Sequence, residues 1–121
     1  DWPIDYADLE PYYNLCERIV GVAGPTDQGS RWRSAPFPLP PHPLSPAAQQ
    51  LVSAGQRMGM HWQENSRAAL SLPYDGRPAC NYCGNCSRGC PVGDKGSADV
   101  TFIRKAEQSG RLSIKPGCTV V

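Results

Sequence analysis

The chain has 121 residues, of which 21 are Leu, Ile, Val or Phe, and a formal net charge of +1 with both signs interspersed. That length holds at most one domain, and an aliphatic share of about 17% lies below the roughly 20% at which a chain struggles to assemble a core, although near-zero net charge argues against outright disorder. These figures exclude a basic stripe for nucleic acid, no stretch approaches the roughly 18 apolar residues of a membrane span, and no signal peptide is visible.

Such a chain needs help from a cluster, disulfides or surrounding protein. It opens on Asp1-Trp2 without an initiator Met and stops in the apolar, β-branched Val120-Val121. A domain rarely stops inside a strand, so a piece of a longer protein is expected.

Taken in order, residues 1–22 form a helical segment. Asp5 can cap a turn entered by Tyr6-Ala7-Asp8, and Pro11 would open a second stretch through Tyr12, Tyr13, Cys16, Ile19 and Val20 that Gly21 ends. Residues 23–45 form a loop rich in Pro, Gly and Ser, with Pro36, Pro38, Pro40, Pro41 and Pro43 removing backbone donors, and with Trp32 and Phe37 packed. Ser45-Pro46 reads as an N-cap followed by proline at the first helical position. Leu51, Ala54 and Met58 recur on one face, which predicts a helix over 46–58.

After a mixed stretch containing Trp62, an irregular Cys-rich loop occupies 80–97. Ser97 is expected to cap a helix through Val100, Ile103 and Ala106, closed by Gly110. The end of the 98–121 segment, Leu112 to Ile114 and Thr119 to Val121, reads as two short strands around a Pro116-Gly117 turn. The expected fold class is therefore a loop-rich α+β fragment, with two to three helices and short C-terminal strands. There is no internal repeat.

Four of the six cysteines lie in Cys80-Asn81-Tyr82-Cys83-Gly84-Asn85-Cys86-Ser87-Arg88-Gly89-Cys90, followed by Pro91. The spacing C-x2-C-x2-C-x3-C-P is that of bacterial ferredoxins. Thiols this close share a cation or oxidise to disulfides. Structural zinc usually takes two knuckles a dozen or more residues apart, so the compact run fits it poorly. A single [3Fe–4S] or [4Fe–4S] cluster, or disulfides and free thiols stabilising a glycine-rich turn, both stay open. Cys16 and Cys118 read as ordinary small buried hydrophobes.

Two segments resemble the glucose–methanol–choline flavin oxidoreductases, particularly the bacterial membrane-associated dehydrogenases of sugars, sugar acids and alcohols. The first is Trp2-Pro3-Ile4-Asp5-Tyr6-Ala7-Asp8-Leu9-Glu10-Pro11-Tyr12-Tyr13 with Glu17 and Gly21-Val22. The second, longer and more specific, runs from Cys83 through Cys90-Pro91-Val92-Gly93-Asp94-Lys95-Gly96-Ser97 to Thr101-Phe102-Ile103-Arg104-Lys105-Ala106 and Gly110-Arg111-Leu112. Asp94 departs from the small residue, such as Ala, more usual there, and this puts the packing of the loop in question.

The resemblance implies an internal segment of a larger FAD-binding α/β flavoprotein that oxidises an alcohol or sugar hydroxyl by hydride transfer to flavin. The Gly-rich fingerprint and catalytic histidine of that family are not in this chain, and His42 and His61 are expected at the surface. The fragment alone is expected to show no turnover. Carried over by the resemblance, Val120 in Gly117-Cys118-Thr119-Val120 would meet the adenine edge through its main chain. Cys83, Cys86 and Cys90, with Cys80 as the fourth, would ligate a cluster relaying electrons to a cytochrome or quinone. The location implied is the periplasmic face of the bacterial inner membrane or the cytoplasm. The rival readings are a small ferredoxin-like electron carrier and a disulfide-stabilised, non-catalytic scaffold.

Overall fold

Asp5 caps helix α1 (Tyr6–Val20) as its sequence suggests. In the computed structural model, which describes residues 2–25 and 32–119, the Asp8 amide donates to Asp5 Oδ1 at 3.1 Å and the Asp5 amide to Asp8 Oδ2 at 3.0 Å. This reciprocal capping box satisfies two backbone donors at once. Pro11 does not open a second helix. It sits inside α1, where its missing N–H forfeits the bond to the Ala7 carbonyl, a defect of roughly 3 kcal/mol in an unsupported helix.

Tertiary contacts on a polar face support α1 through that defect. Tyr12, Tyr13 and Cys16 are exposed, whereas Glu10 and Asn14 are buried and Glu17 half-buried, one above the other at helical spacing. The Ser34 amide donates to Glu10 Oε1 at 2.8 Å, and its hydroxyl to Glu10 Oε2 at 2.8 Å. The Asn14 amide group donates to the Ser34 hydroxyl at 2.8 Å, and Arg33 Nη1 to Glu17 Oε1 at 3.0 Å. The Arg33 guanidinium lies 3.8 Å from the centre of the Phe37 ring. The Phe37 ring in turn lies flush against Gly24, where a Cβ would fall 2.2 Å from it. The proline-rich segment thus docks on α1 through charge and hydrogen bonds, while Trp32, expected to pack, is 62% exposed.

Gly21 ends α1 at φ 79°, with its amide and that of Val22 both donating to the Glu17 carbonyl at 2.8 and 3.0 Å. Beyond it the chain enters the core, where Ala23, Leu39 and Leu70 are buried with Tyr74 packed against them. Segment 67–70 organises this core by bonding to four other parts of the chain. Arg67 exchanges both backbone bonds with Ala23, the Gly96 amide donates to the Ala68 carbonyl, and the Cys80 amide donates to the Leu70 carbonyl at 2.8 Å. The Ala69 carbonyl accepts from the His42 ring at 2.9 Å. Isolated bridges take the place of a sheet among the described residues.

Helix α2 (Pro46–Arg57) has Pro46 at its start and Ser45 accepting from the Ala48 amide at 3.2 Å. Its expected apolar face is not the buried one: Leu51 and Met58 are exposed, and Gly55 is buried. Trp62 covers Gly55 so closely that a Cβ there would lie 2.3 Å from the indole nitrogen.

The third helical region differs from the capped helix expected at Ser97. It begins as a π-turn over Asp99–Ile103, with the Ile103 amide reaching the Ala98 carbonyl, and continues as α3 (Arg104–Gln108). Thr101 is fully buried and its hydroxyl donates to the Ser97 carbonyl at 2.7 Å, a local bond that competes with the α-helical ladder. Gly110 follows at φ 68°. The C-terminal strands are not observed over Leu112 to Ile114 or at Thr119, although the Pro116-Gly117 turn is present. The described residues offer that segment no strand edge to pair with, and unpaired extended chain has no ladder to hold it. Val120 and Val121 lie outside the described residues.

The accessible surface is 9000 Å², against about 6,400 Å² expected for a folded monomer of this mass. Trp2, Tyr12, Leu51, Met58 and Trp62 are among the large apolar side chains left exposed. No helix among the described residues is long and apolar enough to cross a membrane.

The candidate functional site is the cysteine loop

The loop leaves the core at Cys80, whose amide is bonded to Leu70, and returns to it at Asp94. Two features hold its entry. Tyr82 adopts φ 57°, an unusual conformation for an aromatic residue, and its hydroxyl lies 3.0 Å from His42 Nδ1, with the two rings edge-to-face. The Tyr82 amide donates to Cys80 Sγ at 3.4 Å. At the exit, Lys95 Nζ donates to the Cys86 carbonyl at 2.8 Å. Gly84, Gly89 and Gly93 all take positive φ, as a tight loop requires.

Beneath the loop lies Arg77, buried at 4% exposure. Its Nη2 donates to the Val20 carbonyl at 2.5 Å and its Nη1 to the Asp94 carbonyl at 3.4 Å, so it ties the end of α1 to the loop's exit. Burial pushes the guanidinium pKa down. A lone arginine carries no periodic pattern, and sequence reasoning passed it over.

Asp94 occupies the centre of the site. Its side chain is 2% exposed, and Cys90 Sγ donates to its Oδ1 at 2.8 Å. Burial, foremost, pushes the Cys80 thiol's pKa up, and the negative charge of Asp94 adds to it. Cys80 and Cys90 are half-buried, while Cys83 and Cys86 are exposed. All four are free thiols, and so are Cys16 and Cys118, which are exposed, not buried as expected. A short side chain on an open helix face or irregular tail has nothing to cover it. His42, expected at the surface, is buried because both ring nitrogens find partners; His61 is exposed.

The loop does not gather its four thiols into a ligand set. No three His, Cys, Asp or Glu side chains among the described residues are placed to hold a metal ion. A buried carboxylate bonded to Cys90 also opposes the thiolate form of that residue. The described residues therefore do not assemble a ligand set for an iron–sulfur cluster. Nor does the start of α1 fit a flavin pyrophosphate, since it carries the charges of Asp5 and Asp8 where an anion would have to bind.

No protein-family profile matches the chain. Among curated proteins it is 34% identical over 117 residues to 6'''-hydroxyparomomycin C oxidase of Streptomyces lividus, covering 96% of this chain and 21% of that protein. It is 33% identical over 113 residues to the fructose dehydrogenase large subunit of Gluconobacter japonicus, covering 91% and 21%. To the gluconate 2-dehydrogenase flavoprotein of Pantoea cypripedii it is 26% identical over 141 residues, covering 100% and 23%. The chain spans about a fifth of the length of the curated relatives it matches, and these relatives are named as oxidases and dehydrogenases.

Proposed function

We propose that this chain is an internal segment of a flavin-linked dehydrogenase or oxidase of the glucose–methanol–choline type, acting on a hydroxyl of a sugar, sugar acid or alcohol. The observation that carries the reading is similarity along nearly the whole chain to relatives named for fructose, gluconate and aminoglycoside substrates, all of which bear such hydroxyls. Its surface excess supports the same view. Roughly 2,600 Å² more surface than a closed monomer of this mass would show is what a piece cut from a larger protein exposes, with Trp2, Tyr12 and Met58 meeting the remainder.

In this reading the chemistry belongs to the rest of the protein. The flavin, when bound there, accepts hydride from the substrate carbon. This segment supplies a scaffold around the 67–70 hub, and Val120 is the proposed main-chain neighbour of the adenine. An electron acceptor such as a cytochrome or quinone would be met by other parts. Relay through a cluster at Cys80, Cys83, Cys86 and Cys90 is left out of the proposal, because Asp94 and the spread of the thiols do not favour it.

The test is spectroscopic. Full-length protein should carry oxidised-flavin absorbance that bleaches anaerobically on adding a sugar or alcohol. A folded full-length preparation that retains no flavin would overturn the assignment.

A further inference from the structure

We propose that residues 111–115 are a docking strand, which in the full-length protein pairs with a sheet edge supplied by the rest of the same polypeptide; this rests on the reading of the chain as an internal segment of a larger flavoprotein.

The segment has the two-residue period of a half-buried strand. Leu112 and Ile114 fall on one side of an extended chain, and Arg111, Ser113 and Lys115 on the other. Gly110 at φ 68° closes α3 before it, and Gly117 at φ 74° turns the chain after Pro116, so turn residues bound the run at both ends. Its backbone is unpaired. The Arg111 amide donates to the Ser109 hydroxyl at 3.3 Å, but no amide or carbonyl of Leu112, Ser113 or Ile114 makes a backbone hydrogen bond among the described residues. Ile114 is left 54% exposed. Covering that apolar side takes the segment out of water, and its backbone groups then need partners. A strand edge supplies both at once, and the described residues, which hold only isolated bridges, have none to give.

The edge comes from the same polypeptide and not from a second copy. The chain spans about a fifth of the length of its curated relatives, so most of such a protein is available to provide it. Self-pairing, by contrast, meets charge. Two copies in antiparallel register about Ser113 would set Arg111 opposite Lys115, and in parallel register each cation would lie beside its twin. Like charges directly opposite destabilise a sheet, and a cation at each end guards the strand against chance pairing.

Amide hydrogen exchange of the full-length protein tests the strand without any variant. Amides within residues 112–115 should exchange at least about a hundredfold more slowly than in unstructured chain, as sheet amides do, and the slowing should not depend on protein concentration. Exchange at the unstructured rate would overturn the strand. Protection that appears only as concentration rises would overturn the choice of partner. I114D should speed exchange across 112–115 at least about tenfold while S113D leaves it unchanged, since only Ile114 is on the covered side; equal effects in the two folded variants would overturn that facing. Flavin absorbance of the same preparation keeps the two readings apart. Protein that holds flavin while these amides are unprotected would sink the strand alone, whereas protected amides in protein without flavin would support the strand and count against the flavoprotein assignment alone.

Discussion

His42 Nδ1 lies 3.0 Å from the Tyr82 hydroxyl, while its Nε2 lies 2.9 Å from the Ala69 carbonyl. A carbonyl only accepts, so Nε2 carries a hydrogen and donates it to Ala69, leaving Nδ1 to pair with the phenol. One imidazole thereby joins the proline-rich segment, the 67–70 hub and the cysteine loop. Removing the hydroxyl with Y82F should lower the stability of the full-length protein by about 1 kcal/mol. Amide hydrogen exchange in the loop should rise beyond that in α2. Equal exchange in wild type and variant would show that the bond does not hold the loop.

Gly21 and Gly59 separate backbone strain from crowding. Both have positive φ, 79° and 72°, but a Cβ at Gly21 would lie 2.6 Å from Leu70 Cδ2, whereas one at Gly59 would meet nothing within 4 Å. G59A should therefore cost only the left-handed penalty, about 1–2 kcal/mol. G21A should cost at least about 1 kcal/mol more, since Leu70 is a fully buried core residue and overpacking adds to the strain. Urea denaturation of the two variants side by side tests this; equal losses would mean that Leu70 moves aside freely.

Arg77 joins the Val20 and Asp94 carbonyls through two arms of one planar group. A lysine has a single charged tip and cannot reproduce the fork. R77K should lose about 2–3 kcal/mol, within the range for a hydrogen bond to a charged group. R77M leaves both carbonyls without this donor but removes the desolvated cation, and so should be no worse than R77K. A lysine variant as stable as wild type would contradict the clamp.

The parts of the fold legible in the sequence are those set by local chemistry. Asp5, Ser45-Pro46 and Gly21 announce helix ends because caps depend on neighbours a few residues away, and α2 ends at Arg57 against an expected Met58. Which face is buried could not be read this way. Apolar periodicity groups Leu51 and Met58 on one face of α2, yet both are exposed, and on α1 Glu10 and Asn14 face inward because Ser34, twenty or more residues away, completes them. The cysteine spacing announced a site, and Asp94 stood out as a departure. Only the structure shows that Asp94 is buried against Cys90, because its burial depends on the return of the chain through the hub.

Asp75 gives a prediction in pH. It sits at φ 52° in the turn between Tyr74 and Arg77 and receives Lys105 Nζ at 2.8 Å and Arg104 Nη2 at 3.2 Å. The hydrogen bond from Lys105, foremost, and the charges of Lys105 and Arg104 hold its carboxyl below its ordinary range. A carboxylate depressed in the folded state binds its proton more weakly there than in the unfolded chain. Its contribution to stability is therefore complete above the unfolded value, about 3.9, and is lost as pH falls through the folded value. The pair is partly solvent-exposed, so the contribution is modest, within the ~0–1 kcal/mol typical of such ion pairs. D75N should lower the melting temperature of the full-length protein by a constant amount between about pH 5 and 7, and the gap should narrow in more acid solution. A gap that stays constant into strong acid would show that Asp75 acts through the shape of its turn and not through its charge.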